Sequence, residues 1–418
     1  MMGAGMSRKR LAIAATVLAM AAMPTLRSAQ ADDQDFALIE RGRYVAVAAD
    51  CVACHSLPGG KPYAGGSPLY TPFGTLVAPN ITPDRETGIG NWTEEDLRRT
   101  LREGIGRGGK RLYPAMPYPA YTRMTDDDIR ALWTYLRTRE PVSNAVEANQ
   151  LPFPFNIRLL MAGWNLLNFE PERFKPDPDK SPEWNRGAYL VQSLGHCGTC
   201  HTPKTMLGAD DTDRALQGAN LQGWYAPAIT ADPRQGIGDW TTDQLVAYLK
   251  TGANHQTLAS GPMAEAIQNS TSKMTDADLK AIAAYLLDQK PPEAGAPARL
   301  AADDGRMRTG EAVYADTCMA CHGGDGKGQT FLFPTLADSG VVQADDPATL
   351  IRLVLDGSRA VATDDRPTGP AMPPLGWRLD DAQVAAVVTY IRNSWSNAAP
   401  PVSADEVARM RKTLAQAH

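Results

Sequence analysis

Apolar residues return at helical spacing in three similar stretches, Ile129 to Leu136, Leu279 to Leu286 and Val384 to Ile391. Each stretch follows a start signal: Thr125-Asp126-Asp127-Asp128, Thr275-Asp276-Ala277-Asp278 and Asp380-Asp381. A Thr or Asp side chain caps free backbone N–H groups there, and the acids favour the positive end of the helix dipole, so the spacing predicts three short amphipathic helices. Earlier in the chain, Thr93 to Gly104 parallels Thr241 to Gly252, which predicts two more short helices that open on Thr and close on Gly. The lead-in is repeated as well, since Ile81-Thr82-Pro83-Asp84 to Gly88-Ile89-Gly90-Asn91-Trp92 is echoed by Ile229-Thr230-Ala231-Asp232 to Gly236-Ile237-Gly238-Asp239-Trp240. This is an internal repeat, with a third and more distant copy toward the C-terminus.

Each copy also opens on a helical run that carries a glycine and an aromatic: Gly42 with Tyr44, Gly187 with Tyr189, Gly310 with Tyr314. Near the same point of each closing run stands another tyrosine, Tyr135, Tyr285 or Tyr390. Two helices that cross closely need a small residue at the contact, so the first and last helices of each copy are expected to cross at Gly42, Gly187 and Gly310, with these tyrosines packed beside them.

Three apolar stretches fall outside the repeat. Arg8-Lys9-Arg10 precedes the run from Leu11 to Met23, and Ala29-Gln30-Ala31 has the small-residue pattern of a cleavage site. This reads as a secretory signal over 1–31, too short to span a membrane, with the mature chain starting at Asp32. The second stretch, Leu151-Pro152-Phe153-Pro154-Phe155 to Phe169, has Arg158 as its only charge. It is expected first as a helix cementing two domains, and second as a surface for lipid, quinone or a partner subunit. In the third, Val407, Met410 and Leu414 form a narrow stripe beside Arg409, Arg411 and Lys412, which predicts a solvated terminal helix, with an anionic surface as the alternative. No stretch after the signal is long enough for a transmembrane helix.

Composition narrows the function classes. A net charge of -5 implies neither nucleic-acid attraction nor a strong acidic tail. A hydrophobic share of 43% with 32 prolines and 36 glycines suits compact helical domains joined by irregular loops.

The chemistry lies in the six cysteines, all of which fall in three C-x-x-C-H pentapeptides: Cys51 to His55, Cys197 to His201 and Cys318 to His322. Two thiols on one helical turn add across the two vinyl groups of a haem, and the adjacent imidazole reaches the iron. A zinc site would need closed sets of four ligands, and outside the pentapeptides the chain offers only His196, His255 and His418. A thioredoxin-like dithiol would need a strand-helix-strand setting, which the flanking segments lack. The expectation is therefore three covalently bound haem c groups, attached outside the cytoplasm, in agreement with the export signal.

A sixth iron ligand must come from elsewhere in each copy. Met116 in Ala115-Met116-Pro117, Met263 in Gly261-Pro262-Met263 and Met372 in Ala371-Met372-Pro373-Pro374 stand at equivalent places, each read as a proline-rich loop. A methionine in a loop is more often gap-filling core, but the threefold recurrence favours ligation. Met124 and Met274, just before helix caps, read as hydrophobic staples. His255 and His196 remain as competing ligands, with His196 expected to point away from the haem face. Imidazole and thioether together close both axial positions, so such a haem passes electrons and does not activate oxygen or peroxide.

The motifs RGAYLVQSLGHCGTCHTPK, GWYAPAITADPRQGIGDWTTDQLVAYLKTG, GPMAEAIQ and WNLLNFEPERFKPDPDKSPEWNRGAYL resemble the triheme cytochrome c subunit of bacterial membrane-bound alcohol, gluconate, sorbitol and fructose dehydrogenases. The resemblance covers essentially the whole mature chain. It implies a mainly α fold of three tandem class I cytochrome c-like domains with irregular loops, over 32–140, 181–290 and 301–397. Between and after them lie an apolar, Pro-rich linker at 141–180, a short linker at 291–300 and a tail at 398–418. It also implies an electron-transfer subunit without catalytic residues of its own. A large subunit with flavin or pyrroloquinoline quinone oxidises the substrate, sometimes beside a small subunit, and this chain passes electrons to ubiquinone on the periplasmic side of the inner membrane, at the membrane surface. The ligands carry over as Cys51, Cys54, His55 and Met116, then Cys197, Cys200, His201 and Met263, then Cys318, Cys321, His322 and Met372. Family members are commonly held through an apolar C-terminal segment, whereas Asn393 to His418 is polar. The alternatives are a free-standing electron shuttle, the cytochrome subunit of a terminal oxidase, and a haem peroxidase, which would need an open or displaceable iron ligand.

Overall fold

The computed structural model describes Met1 and residues 28–221, 223–292 and 295–417. The basic triplet and apolar run of the export signal lie outside the described residues.

Three similar helical units follow one another. The first contains helices α1 (Ser28–Ala48), α2 (Cys51–His55), α3 (Glu94–Glu103), α4 (Tyr118–Tyr121) and α5 (Asp126–Arg137), with antiparallel pairs β1–β2 (Pro68–Thr71, Gly74–Val77) and β3–β4 (Ile105–Gly106, Lys110–Arg111). Helix α6 (Leu160–Asn168) occupies the connection. The second unit has α7 (Pro182–Tyr189), continued by a π-helical turn over Leu190–Leu194, then α8 (Gly198–His201), β5–β6 (Ala219–Leu221, Trp224–Ala226), α9 (Thr242–Thr251), α10 (Gly261–Asn269) and α11 (Asp276–Leu286). The third has α12 (Gly305–Thr317), α13 (Met319–His322), α14 (Gly340–Gln343), α15 (Ala348–Asp356), β7–β8 (Ser358–Arg359, Ala371–Met372) and α16 (Asp381–Asn393), and the chain continues into α17 (Ala404–Ala417).

The predicted caps form. Thr93 and Thr241 close capping boxes with Asp96 and Gln244 at the starts of α3 and α9. Both helices stop at a glycine in the left-handed region, Gly104 at φ +64° and Gly252 at φ +73°, a conformation that costs a side-chain-bearing residue but not glycine. Thr125, Thr275 and Asp380 cap α5, α11 and α16.

Each unit is closed by its first helix crossing its last. A β-carbon placed on Gly42 would lie 1.9 Å from the Ala131 carbonyl oxygen, one on Gly187 1.9 Å from that of Ala281, and one on Gly310 2.2 Å from that of Ala386. The β-carbons of Tyr135, Tyr285 and Tyr390 flank the same three contacts at 2.7, 2.9 and 2.5 Å. No side chain fits in that space, so the glycines set how closely the helices approach.

The first two units share one continuous core, running from Val45, Leu101 and Leu132 to Leu190, Leu249 and Leu286. The third has its own core around Tyr314, Val384 and Val387. It meets the second unit where Thr349 accepts from the Tyr225 amide at 2.8 Å, Arg352 lies 4.6 Å above the Trp224 ring, and Val361 joins a small cluster with Ala259 and Ile267.

Two sequence expectations change. The C-terminal helix is not a solvated one: Val407, Met410 and Leu414 of α17 are buried in the core of the third unit. Arg411 turns inward with them, donating to Asp381 at 2.8 Å and to the Leu379 carbonyl at 3.0 Å. The stripe is narrow because it fills a groove in its own chain. The linker helix α6 has two faces. Trp164 and Phe169 pack edge-on against Tyr118, whose hydroxyl donates to Asn165 at 2.7 Å, and the Trp164 indole donates to the Leu207 carbonyl at 2.8 Å. That face cements the first unit to the second, and the leucines of the other face stay exposed.

Substituting Gly187→Ala must force α7 and α11 apart and should destabilise the protein by about 3 kcal/mol or more. Gly305→Ala, where nothing lies within 4 Å of the new methyl group, should leave the thermal unfolding midpoint close to wild type.

Candidate functional site

Three equivalent sites are built around the pentapeptides. In each, a single helical turn carries both thiols and the histidine: α2, then α8 with Cys197 just before it, then α13 with Cys318 just before it. All six cysteines are free of disulfides. Burial pushes the thiols of Cys51 and Cys197 up to about 12 and those of Cys54 and Cys318 to about 11, and that of Cys200 is raised as well. These groups are protonated at neutral pH, which does not suit dithiol exchange, where the thiolate is the reactive form.

The imidazoles are oriented in the same way three times. Nδ1 of His55 lies 2.8 Å from the Pro79 carbonyl oxygen, Nδ1 of His201 2.7 Å from that of Pro227, and Nδ1 of His322 3.1 Å from that of Pro334. A carbonyl only accepts, so the proton sits on Nδ1 and Nε2 keeps its lone pair. Among the described residues no group bonds Nε2 of the three rings. Burial holds all three below the usual imidazole value, with the proline carbonyl opposing it, so the rings are neutral. A neutral imidazole tied through Nδ1 is the form that ligates a metal, and the donated bond fixes its orientation.

The thioethers belong to the same cores but not all to loops. Met116 lies in the loop between β4 and α4, as expected. Met263 instead sits in the first turn of α10, where Pro262 suits the start of a helix, and Met372 is in β8, paired with Ser358. All three are half-buried and pack against the cores of their units. Met124 and Met274 are fully buried core residues. His255 is at the surface, beside Gln244 at 3.3 Å, and His196 packs on Tyr121 of the first unit, 5.5 Å between ring centroids.

Sequence reasoning missed the proline carbonyls. The signal was present, since Ala78-Pro79-Asn80-Ile81-Thr82 matches Ala226-Pro227-Ala228-Ile229-Thr230 just upstream of the repeat it used. It also missed how the first two sites are held together. Asp128 takes Arg41 of its own unit at 2.9 Å and the Tyr189 hydroxyl of the second unit at 2.5 Å. Asp278 takes Arg186 in a two-pronged pair at 2.8 and 2.7 Å and the Tyr44 hydroxyl of the first unit at 2.6 Å. The exchange is reciprocal, as about a two-fold axis, and α10 packs against α2 across it. The third unit cannot join, because Gln383 stands where the other two carry Asp128 and Asp278, and Thr309 precedes its crossing glycine where they have Arg41 and Arg186.

Electrostatics between the first two sites follow. Asp50, directly before Cys51, is pushed up to about 8 by burial, with Glu265 of the second unit adding repulsion. Its carboxyl is therefore largely neutral near pH 7.

This arrangement can hold a haem three times: two free thiols on one turn for thioether attachment, a neutral imidazole with a free Nε2, and a thioether in the same core.

Comparison with known proteins agrees with this geometry. Residues 39–140 and 307–395 match the cytochrome c family, and residues 182–286 match the family described as cytochrome c oxidase, cbb3-type, subunit III. The chain is 40% identical to the gluconate 2-dehydrogenase cytochrome c subunit of Pantoea cypripedii, over 97% of this chain and 96% of the relative. It is 39% identical to the cytochrome c subunit of the quinone alcohol dehydrogenase of Gluconobacter oxydans, over 92% and 84%. It is 38% identical to the fructose dehydrogenase cytochrome subunit of Gluconobacter japonicus, over 89% and 82%.

Arg186 and Tyr44 together outweigh the burial that would raise Asp278, and hold its carboxyl below the usual range. Its contribution to stability is therefore complete above about pH 4 and lost as the pH falls through the lower folded value. Asp278→Asn should lower stability at pH 7 and reduce its acid dependence. In a double-mutant cycle with Tyr44→Phe, measured by denaturant unfolding, the coupling should be about 1 to 3 kcal/mol.

Proposed function

The chain belongs to the family of cytochrome c subunits of dehydrogenase complexes, and from that premise we propose that it carries three haem c groups, one in each helical unit. Cys51 and Cys54, Cys197 and Cys200, and Cys318 and Cys321 provide the thioether attachments. His55, His201 and His322 would ligate the iron, with Met116, Met263 and Met372 supplying the second ligand. The units over 32–140, 181–290 and 301–397 then serve as three cytochrome c domains. The observation that carries this reading is the threefold repetition of a neutral imidazole donating Nδ1–H to a proline carbonyl, beside two thiols on one turn.

An iron held between imidazole and thioether exchanges one electron at a time without opening a coordination position. The chain's own part is to hold each imidazole in one tautomer, to exclude water with the tyrosines of the helix crossings, and to fix the first two sites side by side through Asp128 and Asp278. Substrate chemistry belongs to a partner: a large catalytic subunit with flavin or pyrroloquinoline quinone, with a small subunit as a further member. The chain works as a conduit from that cofactor to ubiquinone, exported to the periplasmic side of the inner membrane and held at its surface. The second unit's match to a terminal-oxidase subunit covers that unit alone, whereas the dehydrogenase cytochromes align along nearly the whole chain, so the conduit reading is preferred.

Substituting Met116, Met263 and Met372 by alanine, one at a time, should convert one low-spin haem in each variant and lower its potential. A variant with all haems unchanged would remove that methionine from the ligand set. The protein recovered from detergent-solubilised membranes should bring a dehydrogenase large subunit with it, and recovery without one would leave the shuttle reading in its place.

A further inference from the structure

The exposed face of α6 is strongly apolar. Leu159, Leu160, Leu166 and Leu167 are 74, 47, 85 and 75% exposed, and with Gly163 they form one stripe at helical spacing. Just upstream, Phe153 is 78% exposed. The opposite face of the helix is committed to Tyr118 and Leu207, so the stripe cannot turn inward without breaking the contact between the first two units.

Cations border this stripe. Arg158 immediately precedes it and donates to the Arg111 carbonyl at 2.8 Å, which places the β3–β4 hairpin with Lys110 and Arg111 alongside. Among the described residues none of these three cations is paired with a carboxylate. Aliphatic side chains standing free beside cations that hold no carboxylate match the layered chemistry of an anionic lipid surface, with acyl chains below and phosphates above. No helix among the described residues is long and apolar enough to cross a membrane.

We infer that α6 lies in the membrane interface, its leucines among the acyl chains and Lys110, Arg111 and Arg158 against anionic headgroups. This deepens the reading of the chain as a membrane-surface cytochrome and rests on it. The consequence concerns the first site. The loop that carries Met116 is held to the same segment at both ends, by the Tyr113 hydroxyl donating to the Phe155 carbonyl at 2.8 Å and by Tyr118 donating to Asn165. The first unit is thereby the one held against the lipid.

The test is flotation of the full haem-loaded chain with vesicles of phosphatidylglycerol and phosphatidylethanolamine. The wild type should float, and less so at high salt. Leu166→Glu with Leu167→Glu should lower partition on the order of tenfold or more. Lys110→Glu should weaken binding to the anionic vesicles and leave binding to neutral ones unchanged. Both variants should keep the haem absorption and unfolding midpoint of the wild type, because the altered side chains stand in solvent. A wild type that does not float, or a leucine variant that floats as well as wild type, overturns the inference. So does a leucine variant that keeps its vesicle binding but loses a dehydrogenase subunit in detergent, which would make the stripe a protein interface. Haem content is read on the same samples, so a failure of the three-haem reading appears as missing haem, separately from lipid partition.

Discussion

Everything in this molecule depends on how closely two helices can cross. At Gly42, Gly187 and Gly310 the first helix of a unit meets a backbone carbonyl of the last with no room for a methyl group. The tyrosines beside the crossing bond further within their units: the Tyr135 hydroxyl comes within 3.5 Å of that of Tyr63 in the first, and Tyr285 accepts from Gln192 at 2.7 Å in the second. The pentapeptide enters immediately after the first helix, so the crossing also sets where the thiols and the imidazole stand.

The second level of organisation is the pairing of two units. A carboxylate on the closing helix of each accepts a tyrosine hydroxyl from the opening helix of the other, and each carboxylate is already held by an arginine of its own unit. Charge-assisted bonds of this kind are directional and short, so they fix orientation as well as contact. The third unit meets the second through different groups and is closed by α17, whose apolar stripe belongs to that core. The molecule is thus a tightly matched pair with a third unit attached, in keeping with the weaker repeat of its sequence.

Much of this was legible in the residues. Helix caps at Thr93, Thr125, Thr241 and Thr275, the crossing glycines and the mainly helical fold follow from local rules that act within a few residues. The proline carbonyls did not emerge because a backbone acceptor leaves no side-chain signature, although the Ala-Pro repeat around Pro79 and Pro227 marked the place. The fate of α17 was misread because a narrow apolar stripe looks the same whether it meets solvent, lipid or a groove in its own chain, and only the tertiary partner decides. Met263 and Met372 were expected in loops because nearby prolines suggest irregular backbone, yet proline is also favoured in a helix's first turn, where its missing N–H has no partner to lose. The reciprocal aspartates could have been read from Arg-Gly-x-Tyr at Arg41 and Arg186, but a contact between repeats has no period within one of them.

The central claim is that one chain holds three closed, one-electron sites. A coulometric spectroelectrochemical titration of the purified mature protein tests it most directly, because it counts electrons and reports spin state together. Uptake of three electrons per chain, with every ferric haem low-spin before reduction, is the predicted result. Fewer than three electrons, or a high-spin ferric haem in the untreated protein, would contradict it.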